Sequence, residues 1–169
     1  MLAAASPAAA AEAAAPPAPP APFASREGGF RAAFPAAPRF DEERKTTFLG
    51  PLRSRGWEIE SGAVWLRVER HDLPALAPLL LGERGVLERA KRGLVEDAAA
   101  RDVREEPREL GGHPGLRLRY EPGAHPGEHE EARLFLFGRR LYVLFARAAD
   151  ASQRAVAERF LDSVEIDAN

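Results

Sequence analysis

Apolar and polar residues alternate with period two along most of this chain and switch to helical spacing twice. Phe30, Ala32 and Phe34 alternate with Gly29, Arg31 and Ala33, the pattern of a half-buried strand, and Pro35 and Pro38 end it. Gly28 and Gly29 precede that strand and no helix follows before Pro35. A phosphate loop places its glycines between a strand and a helix N-terminus, so this pair does not read as one. Residues 44–52 read as a second strand, with β-branched Thr46 and Thr47 and a stop at Gly50-Pro51. Residues 57–73 read as two strands about a turn at Ser61-Gly62. Val64, Leu66 and Val68 share one face there, and Trp65, Arg67 and Glu69 the other. Pro74 and Pro78 then interrupt the chain.

From Gly85 the period changes. Val86, Leu87, Ala90, Leu94 and Ala98 recur at helical spacing opposite charged positions, which predicts an amphipathic helix of about four turns. Gly93 weakens its second half by about 1 kcal/mol relative to Ala. Strands return over 102–110 and 116–121, with a turn at 111–115 between them. In the second, Leu116, Leu118 and Tyr120 point inward and Arg117 and Arg119 outward. After a loop at 122–131, Leu134–Phe137 and Leu141–Phe145 are apolar on both faces, as strands covered on both sides must be. Gly138-Arg139 suits the two-residue turn between them. Phe137, Leu141, Tyr142 and Phe145 are the expected buried hairpin. Asp150 with Gln153 caps a last helix, whose inner face carries Val156, Ala157, Phe160 and Leu161, and 163–166 closes as a strand. The order predicts an α+β domain: a single antiparallel, twisted sheet of about seven strands flanked by two helices.

Several stretches taken in order, "GGFRAAFPAAP", "LLLGERGVLERAKRGLV", "LGGHPGLRLRYE", "RLFLFGRRLYVL" and "RFLDSVEI", resemble the PsbP-like α/β domains of bacterial envelope proteins. The resemblance spans 23–167. It implies a non-catalytic binding or accessory module, often outside the cytoplasm, with another protein or a small ligand as its partner. It carries no catalytic residue across.

Composition narrows the picture. Residues 23–169 form one domain, large enough to bury a core without disulfides. Residues 1–22 hold six prolines and a single charge, Glu12, and read as an extended Ala/Pro linker. Leu2–Ala11 has the small apolar character of the end of a secretory signal, without its basic start. Two placements follow: a periplasmic or secreted protein with a signal remnant, or a cytoplasmic interaction domain with a disordered tail. Nothing reaches the roughly 18–20 apolar residues of a transmembrane span. The formal charge is −2, with 22 Arg and 2 Lys, so net charge gives no reason to expect nucleic acid or an anionic membrane. The absence of cysteine excludes thiol catalysis and Cys-ligated metal.

The sharpest chemical candidate is "HPGEHEE", where His125 and His129 stand beside Glu128, Glu130 and Glu131. Imidazole and carboxylate together suit a divalent ion, hence a metal-dependent hydrolase as the alternative function. Pro126-Gly127 prevents the helix that would bring the histidines onto one face, and a solvated loop is the competing reading. No metal or cofactor is expected. Adjacent His71 and Asp72 point to opposite strand faces and form no dyad. Ser163, with His113 or His71, lacks the nucleophile elbow and reads as the end of the last helix. Arg117, Arg119, Arg139 and Arg140 form a candidate basic binding rim, set against a merely solvated face. Trp57 and Trp65 suit either pocket lining or packing.

Overall fold

In a computed structural model the residues described are 22–167. The expected linker or signal remnant, residues 1–22, lies outside them but for Pro22. In chain order the elements are β1 (Phe23–Ser25), β2 (Phe30–Ala32), β3 (Arg39–Thr47), β4 (Gly50–Ser61), β5 (Val64–Asp72), α1 (Leu76–Asp97), β6 (Arg101–Leu110), β7 (His113–Glu121), β8 (His129–Phe137), β9 (Arg140–Ala148), α2 (Ala151–Asp162) and β10 (Glu165–Ile166). Seven strands make one antiparallel sheet in the order β3-β4-β5-β9-β8-β7-β6. The doubly apolar hairpin β8–β9 lies inside that sheet, flanked by β5 and β7. The edges are β3 (RFDEERKTT) and β6 (RDVREEPREL), about two-thirds charged and, in β6, carrying Pro107. Charge and proline at an edge discourage pairing with another chain.

The two faces have separate cores. On one, α2 and the small sheet cover Trp57, Leu66, Val68, Tyr142 and Leu144, with Phe30, Phe34 and Phe160 among them. On the other, α1 packs Val86 and Leu87 over Leu118, Leu134, Leu136 and Val143. Asp150 caps α2 by accepting from the backbone N–H of Ser152 (2.8 Å) and Gln153 (3.0 Å), as expected. Ser163 ends it, donating to the Phe160 carbonyl at 2.6 Å and accepting from Ala33 N–H at 2.9 Å.

The fold departs from the sequence reading in places that each have a cause. The first and last expected strands are not in the main sheet. With β1 they form a separate three-stranded sheet, β1-β2-β10, on the α2 side. Residues 44–52 are not one strand, because the chain turns at Phe48-Leu49 between β3 and β4 and Pro51 sits opposite Thr46. The charged run Arg39–Arg44 has no apolar alternation to mark it as a strand; it is one only because β4 supplies its hydrogen bonds. Helix α1 begins at Leu76, nine residues before Gly85. Pro78 falls in its first turn, where backbone N–H groups have no intrahelical acceptor, so it interrupts nothing. The kink comes later, at Gly82 (φ 68°, ψ 169°).

Candidate functional site

Helix α1 sits over β7 and β8, because its apolar face matches Leu118, Leu134 and Leu136 there. The same sheet face continues across β9 and β5 without a helix above it. A cleft of about 550 Å³ fills that space. One wall is the side of α1, through Val86, Ala90, Gly93 and Leu94; the opposite wall is the β3–β4 hairpin end, through Phe48 and Leu49 of the turn and Leu52 of β4. Leu141, Val143 and Phe145 of β9 form the floor. Phe145, expected to be buried with its hairpin, is therefore only half-buried. A Cβ added to Gly93 would meet nothing within 4 Å, so the missing side chain leaves room in the cleft.

Besides Thr47 at the turn and Arg89 and Asp97 on the α1 wall, polar groups enter the cleft at two places. At one end Glu130, 7% exposed, accepts a 2.5 Å hydrogen bond from the Tyr120 hydroxyl. Burial raises the Glu130 carboxyl above the usual carboxylate range, against the opposing pull of Tyr120 and of Arg147, whose Nη1 stands 3.9 Å away. Burial and the neighbouring Glu130 likewise push the Tyr120 hydroxyl far upward, so it stays a donor. On the β5 side lie Glu69 and His71. Burial pulls Glu69 upward, but His71 and Arg67 outweigh it and hold the carboxyl below its ordinary range. Arg67 Nε approaches Glu69 at 2.6 Å and His71 Nε2 at 3.1 Å. His71 Nδ1 in turn meets Ser54 Oγ at 2.8 Å.

Ser54, His71 and Glu69 thus make a hydroxyl–imidazole–carboxylate chain. In acyl transfer such a chain works together with N–H donors placed for the oxyanion. Strand β4 is paired on both sides, with β3 and with β5, so its amides serve the ladder. The contacts of His71 with Ser54 and Glu69 hold Glu69 in place at the cleft floor.

The residues singled out from sequence are dispersed. His129 opens β8, is exposed, and lines a different cavity on the α2 side. Glu128 is held by Arg147 Nε at 3.1 Å and lies 3.8 Å from His125 Nδ1. Among the described residues no group of three or more His, Asp or Glu side chains converges as a metal site. Arg117, expected to face solvent, is buried, with Nη2 on Glu131 at 2.6 Å. It shares the α2 side of the sheet with Glu131, and its Nε finds no partner. Arg119 leans on the same Glu131 at 3.3 Å. Arg139 lies at the other end of the sheet, in the β8–β9 turn, donating to the Leu73 carbonyl at 3.1 and 3.2 Å. Arg140 begins β9 opposite Asp72. The four arginines do not form one rim. Trp57 and Trp65 lie on opposite faces: Trp57 packs on Phe30, ring centroids 5.0 Å apart, and Trp65 on Phe145 at 5.6 Å.

The α2-side cavity is larger, about 680 Å³, but is lined mainly by charged residues such as Arg104, Arg119, Glu131, Arg154 and Glu158. Arg119 and Glu131 already pair with each other, leaving no apolar floor of comparable extent. The cleft beneath α1 is the better-formed site.

No protein-family model and no curated protein matches the sequence. Among solved structures, the chain is similar to the solution structure of cyanobacterial PsbP (CyanoP) from Synechocystis sp. PCC 6803. The two share 12% identity at a TM-score of 0.55, covering 86% of this chain and 91% of that one. The fold is PsbP-like.

Proposed function

We propose that this chain is a non-catalytic binding module that takes up a small, elongated apolar molecule carrying an ammonium or hydroxyl head. The observation that carries the reading is the apolar cleft beneath α1 with a buried carboxyl at its end. Its volume lies in the range of small-molecule sites, roughly 300–1,000 Å³. Apolar burial supplies affinity at about 25 cal/mol per Å². The polar groups then select the head: Glu130 and Glu69 accept hydrogen bonds, so a donor is favoured and a carboxylate head is repelled. The PsbP-like fold supports an accessory role, and the Ala-rich Leu2–Ala11 supports a place outside the cytoplasm.

Titration with dodecylamine and with dodecanoate, followed by intrinsic tryptophan fluorescence or calorimetry, tests this. The amine binds and the acid binds at least about tenfold more weakly, as one lost charge interaction of about 1.4 kcal/mol requires. Gly93→Trp, whose side chain enters the open space, abolishes amine binding without loss of fold. Equal binding of both molecules, or a Gly93→Trp variant that binds as the parent does, rejects the reading.

A further inference from the structure

The most exposed large apolar side chains cluster beside the cleft mouth. Leu76, Leu79 and Leu80 are 51%, 79% and 66% exposed and stand at i, i+3 and i+4 on the short first segment of α1. Phe48, at the tip of the β3–β4 turn, is 84% exposed. Phe48 and Leu81 both line the cleft, so the patch and the cleft are continuous. A leucine face of this kind on a soluble surface is expensive to hydrate and marks an interaction site.

Charge says which occupant fits. Arg89 lies over the Phe48 ring, 5.9 Å from its centroid. Arg139 reaches the Leu73 carbonyl, three residues before Leu76. Arg84 follows the kink at Gly82 by two residues. All three are exposed, and among the described residues none is within ion-pair distance of a carboxylate. On the same stretch Glu88 is taken up by Lys91 at 2.6 Å; among the described residues Glu83, and Asp97 farther along α1, have no such partner. Net charge over the whole chain hides this local excess of cations around an apolar face. That arrangement matches a bilayer interface with anionic headgroups, apolar side chains entering the acyl boundary and arginines resting on phosphates.

We infer that the Leu76–Leu81 segment with Phe48 docks the protein on an anionic membrane surface, with the cleft mouth facing the lipid. The inference goes beyond the ligand reading and can fail separately from it. The test is flotation of the full chain with vesicles of mixed phosphatidylglycerol and phosphatidylcholine, and with phosphatidylcholine alone. The parent floats with the anionic vesicles and not with the neutral ones. Leu79→Glu with Leu80→Glu, at exposed positions that leave the core intact, weakens binding by roughly a hundredfold, from about 1.5 kcal/mol per leucine withdrawn. Arg84→Gln with Arg139→Gln weakens it several-fold and flattens its salt dependence. In vesicle-free solution both double variants bind dodecylamine as the parent does. The inference is overturned by absence of flotation, by equal flotation on neutral vesicles, or by a leucine variant that floats unchanged. A concentration-dependent dimer abolished by Leu79→Glu, without flotation, would give the patch to a second copy instead. Flotation as described with no amine binding would leave docking standing and remove only the ligand reading.

Discussion

At the scale of single residues, the cleft depends on a carboxyl kept where water is scarce. Glu130 is faced by Tyr120, Arg147, His125 and Glu128, and burial is the largest influence on it. Its folded value is raised, so between about pH 4.3 and that value the native protein holds a proton the unfolded chain has released. Its contribution to stability is therefore present in acid and lost as pH rises. Glu130→Gln keeps an acceptor for Tyr120 and has no such loss. Its melting temperature should match or fall below the parent's near pH 4 and exceed it by pH 8, with the gap widening monotonically between. A gap independent of pH would mean the Glu130 carboxyl titrates alike in the folded and unfolded chain. Of this site only the inward direction of Tyr120 was legible in the sequence; the chain of Ser54, His71 and Glu69 was implicit in the strand pairing but not read from it. The turn at Ser61-Gly62 was readable, and the register that pairs Ser61 with Val64 also pairs Ser54 with His71, with Glu69 two residues back on the same face. The adjacent His71-Asp72 pair gives no sign of it, because its two side chains point to opposite faces. Arg117 could not have been placed, because its burial comes from Glu131 on a strand 14 positions away.

At the scale of elements, α1 shows where pattern reading stops. Its amphipathic half from Gly85 was visible because that half packs on the sheet; the Leu76–Leu81 segment was not, because its leucines pack on nothing. Gly82 sets the direction of that segment with a conformation that side chains rarely adopt. Gly82→Ala should cost about 1–3 kcal/mol, measured by chemical denaturation. A neutral effect would mean the kink straightens freely. The core strands separate in the same way. Phe160 is 1% exposed between α2 and the sheet, and Phe160→Ala should cost about 3–5 kcal/mol. Phe145 floors an open cleft, so Phe145→Ala should cost less than half as much, which reverses the expectation from its place in an apolar strand. Equal losses at the two positions would place Phe145 in a closed core.

At the scale of the molecule, the seven-stranded sheet follows from strands that are apolar on both faces in the middle and charged at the edges. The doubly apolar middle was readable along the chain; the charged edge β3 was not, because nothing in its own pattern marks it as a strand. The separate three-stranded sheet was not, since Phe30 and Ile166 lie far apart in sequence and meet only through the register of β2 with β10. Nor was the cleft, which is a mismatch between elements: one helix covers part of a face that four strands present. The account therefore turns on whether that uncovered part takes an apolar guest. Amide shifts of isotope-labelled protein, recorded during titration with dodecylamine below its micelle concentration, measure this most directly. Saturable shifts should be confined to Leu49, Ala90, Gly93, Leu94, Val143, Phe145 and Glu130 and their neighbours. Shifts centred on the α2-side cavity around Arg119 and Arg154, or small unsaturable shifts spread over the surface, would contradict it.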